Sequence, residues 1–210
     1  MRLLFLLIVI LISFRIPPQN SKYLISEADT TVIFSNRLKL LGKHSDDFGG
    51  CSFKPISILF DNKVIFSDSL NEYWLTGYES KQYPKILKCA DGSCQLLIEV
   101  DLRPNQNELT RLIISQSGQV RQDYIPIFDW HPKDIDNDGK LEVCGILMNG
   151  ETIANGDTAF YNPTLIYELT NNCLSLDSLA TIGKNKKIWR KFHGYYYNDT
   201  LLLPFNRKEW

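Results

Sequence analysis

The sequence has no excess of either charge: 23 basic residues stand against 24 acidic ones, for a formal net charge of −1. Nucleic acid demands a basic face, so this balance offers no electrostatic case for it. No basic amphipathic stretch suggests a membrane surface either. Cys-x-x-Cys pairs are missing, which removes the common structural zinc patterns. A Gly-x-Ser-x-Gly elbow, a His-Glu-x-x-His pair and a phosphate-binding glycine loop are missing too. The three histidines, His44, His131 and His193, keep no metal-ligand spacing and are expected to be solvated or at the edge of the core. Carboxylates are plentiful, but a pair facing across a cleft, as a glycosidase needs, cannot be read along a chain. The chain is therefore read as a non-enzyme.

What remains is an ordinary globular composition, 44% hydrophobic and 22% charged over 210 residues, enough for one domain with a core. The first residues are more specific. Leu3 to Phe14 is an uncharged apolar run of 12 residues, preceded by Arg2 and followed by Arg15, Pro17 and Pro18. A membrane-spanning helix needs about 20 apolar residues to cross about 30 Å of hydrocarbon. The run is too short for that and has the length of a signal-peptide apolar core. Residues 1–16 are expected to be a signal peptide, 17–30 a linker, and 31–210 a single all-β domain outside the cytoplasm, secreted or held in the periplasm or cell envelope. No membrane span is expected once the signal is removed.

Five cysteines, Cys51, Cys89, Cys94, Cys144 and Cys173, lie beyond the signal. In an oxidising compartment some can pair. Cys89 and Cys94 flank Ala-Asp-Gly-Ser, a turn that a local disulfide would close. The alternative is five reduced thiols, with Cys144 buried in a strand.

Beyond residue 20 the sequence alternates turn signals with short runs rich in Val, Ile, Phe, Tyr and Leu: Ile56–Phe60, Val64–Ser67, Leu96–Val100, Leu112–Ser115, Val143–Met148, Leu165–Leu169 and Ile188–Tyr197. No stretch keeps a helical apolar period for three turns. Hairpins are expected at Ile58–Leu70, Leu112–Val120 and Leu165–Leu179, turning at Asn62, Ser117 and Asn171, 55 and then 54 residues apart. Such a period of short strands suggests the blades of a small β-propeller-like fold, with an irregular β-sandwich as the competing architecture. The aromatic tail Trp189–Tyr197 reads as a closing strand with one face in the core.

One segment carries chemistry. Asp134-Ile-Asp136-Asn-Asp138-Gly139-Lys140-Leu-Glu142 places carboxylates at alternate positions, so a tight loop turns each of them inward. Calcium takes about six to eight oxygen ligands and needs such convergence. Gly139 permits the positive-φ turn that folds the backbone around an ion. The Lys140 carbonyl would point inward while its ammonium stays in water. Without a cation the carboxylates repel one another. The loop is not an EF-hand, whose twelfth position is Glu; that position here is Gly145, and the sequence that follows is β-like.

This DxDxDGxxE pattern running into a strand resembles the calcium loops of FG-GAP and VCBS repeats, the integrin-α-like β-propeller family. The resemblance is carried by Pro132–Met148. It implies Asp134, Asp136, Asp138 and Glu142 as side-chain ligands, Lys140 as a backbone ligand, and a structural Ca2+ between adjacent strands of a blade. The family carries several copies and this chain one, so fewer than seven blades are implied. Cys89–Gln95 is similar to a degenerate copy, with Gln95 where Glu142 falls and a disulfide in place of the ion. The expected function is that of an exported, calcium-stabilised binding or scaffold protein presenting a surface to a protein or glycan partner. The alternatives are a periplasmic inhibitor or immunity protein against a lysozyme-type peptidoglycan hydrolase, and an envelope glycan hydrolase.

Overall fold

The computed structural model describes residues 30–45, 52–75, 83–102, 107–128, 130–148, 153–155, 158–204, 206 and 208. The signal segment 1–16, the linker as far as residue 29, and Cys51 lie outside the described residues. Nine strands form one antiparallel sheet: β1 (Thr30–Ile33), β2 (Leu38–Ser45), β3 (Ser52–Phe60), β4 (Lys63–Asp68), β5 (Glu72–Trp74), β6 (Lys85–Lys88), β7 (Cys94–Asp101), β8 (Glu108–Ile114) and β9 (Val120–Pro126). Their order is β1-β2-β3-β5-β7-β8-β9, with β4 added on β3 and β6 on β7. A second sheet joins β10 (Glu142–Ile146), β13 (Thr164–Thr170) and β14 (Cys173–Leu176). A third joins β11 (Ile153–Asn155), β12 (Thr158–Tyr161) and β15 (Asn198–Pro204).

The hairpin turns follow their residues. Asp61-Asn62 and Asn171-Asn172 hold positive φ at both positions, 50° and 60° and then 52° and 62°, the twist that matches two-residue hairpins. The β8–β9 turn uses Gly118 at φ 82° and closes with the Ser115 N–H on the Gln119 carbonyl at 2.9 Å. All three expected turns are present, and the fold is all-β as read, with one short helix among the described residues.

The propeller form is not confirmed. The first two hairpins share the nine-stranded sheet and the third belongs to a three-stranded one, so equal blades are not seen among the described residues. The even spacing of the turns reflects where Asn, Ser and Gly interrupt the apolar runs.

Strand β7 is buried on both faces, which is why CQLLIEVD lacks clean alternation. Leu96, Ile98 and Val100 join Leu40, Ile56, Ile58, Leu112 and Ile114 in one core. Leu97, with Leu109 and Ile125, faces the other way and packs on Val143, Leu165, Tyr167 and Leu174 of the second sheet. The second sheet, which carries the Asp-rich segment at the start of β10, is thereby seated on the large one. Gly145 makes the fit possible: a Cβ there would lie 2.5 Å from the Ile127 carbonyl oxygen and 2.8 Å from Pro126 Cβ.

The first face also buries polar groups. Tyr73, fully buried, donates its hydroxyl to Asp68 at 2.7 Å. Glu108, 6% exposed, stands opposite Val100 of β7 and Pro126 of β9, and burial alone pushes its pKa up to about 7.

The run Ile188–Tyr197 is not a strand. Helix α1 covers Ser178–Trp189, and the closing strand is β15. Trp189 and Ile188 are buried against Ala159, Tyr161, Leu201 and Leu203, while Tyr195 and Tyr197 pack on the second core as irregular chain. The helix shows no sustained apolar period because two of its four buried residues, Thr181 and Asn185, are polar. Asn185 accepts the Thr164 N–H at 3.0 Å and donates to the Thr164 carbonyl at 2.7 Å. Thr181 accepts the Ile166 N–H at 3.0 Å. Strand β14 pairs only the later half of β13, so these side chains satisfy the open edge that remains. Asp177 caps the helix by accepting the Ala180 N–H at 2.8 Å. Among the described residues no helix is long and apolar enough to cross a membrane.

Candidate metal centre

The Asp-rich segment is a loop closed at its base by a two-way backbone pair. Lys133 N–H reaches the Glu142 carbonyl at 3.0 Å, and Glu142 N–H returns to Lys133 at 2.9 Å. Between these residues Asn137 and Gly139 take positive φ, 67° and 88°. The loop then tightens on its own carboxylates. Asp134 accepts the N–H groups of Asp138 and Gly139, both at 3.1 Å, and Asp136 accepts Asp138 N–H at 3.2 Å. These bonds fix the direction of each aspartate before any ion is considered.

The structure brings all four expected side-chain ligands together. Oxygens of Asp134, Asp136, Asp138 and Glu142 lie within 4.8 Å of one another, three on exposed residues and one on a buried residue, and this group can hold a metal ion. Glu142 is the informative member. It is fully buried; its Oε2 accepts the Ile135 N–H at 2.6 Å, while its Oε1 has no hydrogen-bond partner. An unsatisfied buried carboxylate oxygen is costly, and a cation among these carboxylates would satisfy it. Burial first, and then repulsion from Asp136, Asp138 and Asp134, raise the Glu142 pKa against the pull of the Ile135 N–H.

Lys140 departs from expectation. Its ammonium does not simply stay in water: it lies 2.7 Å from Glu168 and 3.2 Å from Asp138. The Lys140 N–H and its ammonium hold the Asp138 pKa below the usual carboxylate range, and Glu168, then Asp138, raise that of Lys140. Glu168 was not legible along the sequence. It stands directly opposite Glu142 in the β10–β13 register, so the pairing of distant strands alone delivers it. With Asp138 and Asp177 it forms a second acidic group of the same reach. The Lys140 ammonium sits on two of its members and Asp177 is committed to the helix cap.

The cysteines pair differently from the local closure considered above. Cys89 bonds to Cys173, 84 residues away, with Cα atoms 5.2 Å apart. Cys94 packs on the first core, on the same side as Leu96, whereas Cys89 meets the β13–β14 turn, where Ala90 N–H also reaches the Asn171 carbonyl at 3.1 Å. Gln95 is no ion ligand: it holds Leu174 of β14 through both backbone groups, at 3.0 and 3.1 Å. Cys144 is exposed rather than buried, because its neighbours Val143 and Gly145, not its own side chain, face the large sheet. The histidines stay apart: His44 packs on Phe53, His193 on Tyr161, and His131 is exposed.

The chain matches no protein-family model, no curated protein and no solved structure. The likeness of the loop to propeller calcium loops therefore rests on its own residues.

Proposed function

We propose that this chain is an exported, calcium-stabilised, all-β binding protein that presents a rigid loop surface to a partner outside the cytoplasm. One observation carries the reading: the buried, unpartnered Glu142 Oε1 within reach of three exposed aspartates. Calcium is the cation we assign because every donor is an oxygen and the loop is built from flexible side chains. Magnesium demands tighter octahedral geometry and keeps more of its water. The Lys140 carbonyl is the fifth ligand in this reading. The ion is structural, tying the start of β10 to the loop that covers it. The Cys89–Cys173 bond supports export, since such bonds persist in oxidising compartments.

The test is a thermal melt of the protein in calcium, in magnesium and in chelator. A higher Tm in calcium alone, abolished by Asp136→Ala, supports the site; equal melting in calcium and chelator refutes it. The exposed acidic rim of Asp134, Asp136 and Asp138 favours one second reading, an inhibitor seated on a basic hydrolase. Calcium-dependent inhibition of a lysozyme-type enzyme would distinguish it.

A further inference from the structure

The four carboxylates do not enclose an ion. Glu142 has committed Oε2 to the Ile135 N–H, so it offers Oε1 alone. Asp138 is tied at Oδ1 by Lys140 N–H at 2.9 Å and at Oδ2 by the Lys140 ammonium. Asp134 is tied at both oxygens by Asp138 and Gly139 N–H, and Asp136 at Oδ1 by Asp138 N–H. An oxygen that accepts one N–H keeps a second lone pair for an ion, so at one ligand atom from each residue the group supplies four oxygens. With the Lys140 carbonyl these oxygens leave about one to three of calcium's positions unfilled. The unfilled side is the outer one, because Glu142 is buried beneath the ion while Asp134, Asp136 and Asp138 are exposed around it.

Charge then selects what fills those positions. Four carboxylates outweigh the two charges of the ion, so ion and ligands together remain negative. The nearest cation, Lys140, is already shared between Asp138 and Glu168 and is not spare. An incoming carboxylate would be repelled, whereas a neutral oxygen would not.

Resting on the calcium reading above, we propose that the loop ion is an open coordination site for neutral vicinal hydroxyls, and that the partner it presents itself to is a glycan. Two hydroxyls on adjacent sugar carbons reach two neighbouring positions at once, replacing waters without adding charge. The loop surface then binds its ligand through the metal itself.

The experiment uses the full chain loaded with Eu3+ in place of calcium. Luminescence decay in H2O and D2O counts the waters on the ion. Methyl glycosides of mannose, glucose and galactose, covering cis and trans hydroxyl pairs, are then titrated in, with acetate as the anionic probe. The expected result is Eu3+ that calcium displaces, at least one coordinated water, and a water count that falls with one or more glycosides but not with acetate. Failure of Eu3+ and calcium to compete for the loop would sink the calcium reading itself. Tight binding with no coordinated water would leave that reading intact and refute the open site. Waters that acetate removes, or that no glycoside removes, would refute the neutral-hydroxyl ligand. Asp136→Asn controls for location: it must weaken Eu3+ binding, or the signal comes from elsewhere and the proposal falls.

Discussion

Glu108→Gln tests the electrostatics of the main core, away from the loop. The Glu108 carboxyl is 6% exposed, on the face of β8 that also carries the buried Thr110, Leu112 and Ile114, and its pKa stands at about 7 against an ordinary 4.5. Below about pH 4.5 it holds its proton both folded and unfolded, and it costs the fold nothing. As the pH rises, the unfolded chain releases the proton first. Stability is therefore lost between pH 4.5 and about 7, and is flat above that. The gap corresponds to at most about 3 kcal/mol, less where water reaches the carboxyl. Glutamine has the same shape and no proton to lose. Urea unfolding of the two proteins at fixed free calcium should give equal stabilities at about pH 4. The variant should gain on the wild type up to about pH 7, by no more than about 3 kcal/mol. A variant no more stable than wild type at about pH 8, or a difference that does not grow with pH, would refute the assignment of a carboxyl whose pKa is raised by burial.

Replacing both Cys89 and Cys173 by Ser should destabilise the protein by up to about 4–5 kcal/mol, the chain-entropy value for a closure of 84 residues, as read by urea unfolding without reductant. Gly145→Ala puts a methyl into the Ile127 carbonyl and Pro126, so a loss of about 1–3 kcal/mol is expected in the same assay. Asn185→Ala should cost about 3 kcal/mol, because it strips the Thr164 N–H and carbonyl of their partner at a fully buried site. Amide exchange at Thr164 should accelerate with it, and unchanged exchange there would count against the helix as the cover of the β13 edge.

The sequence by itself determined what depends on near neighbours. Turn residues such as Asn62 and Asn171 set the hairpins, because positive φ is a local preference of Asn and Gly. The four clustered carboxylates were legible because one loop supplies them all, at a spacing that loop curvature converts into convergence. Helix α1 escaped notice for the same reason in reverse: its first buried positions, Thr181 and Asn185, match an open strand edge, and only its last turn, Ile188 and Trp189, meets an apolar core, so no hydrophobic period marks it. Long-range choices belonged to the tertiary structure. Cys89 takes Cys173 over the nearby Cys94 because the two hairpin turns meet while Cys94 points into the first core. Glu168 reaches the Asp-rich loop only through the β10–β13 register. Even spacing of turns along the chain suggested equal blades, but strand partners are selected by which faces bury each other. That selection built one large sheet and two small ones.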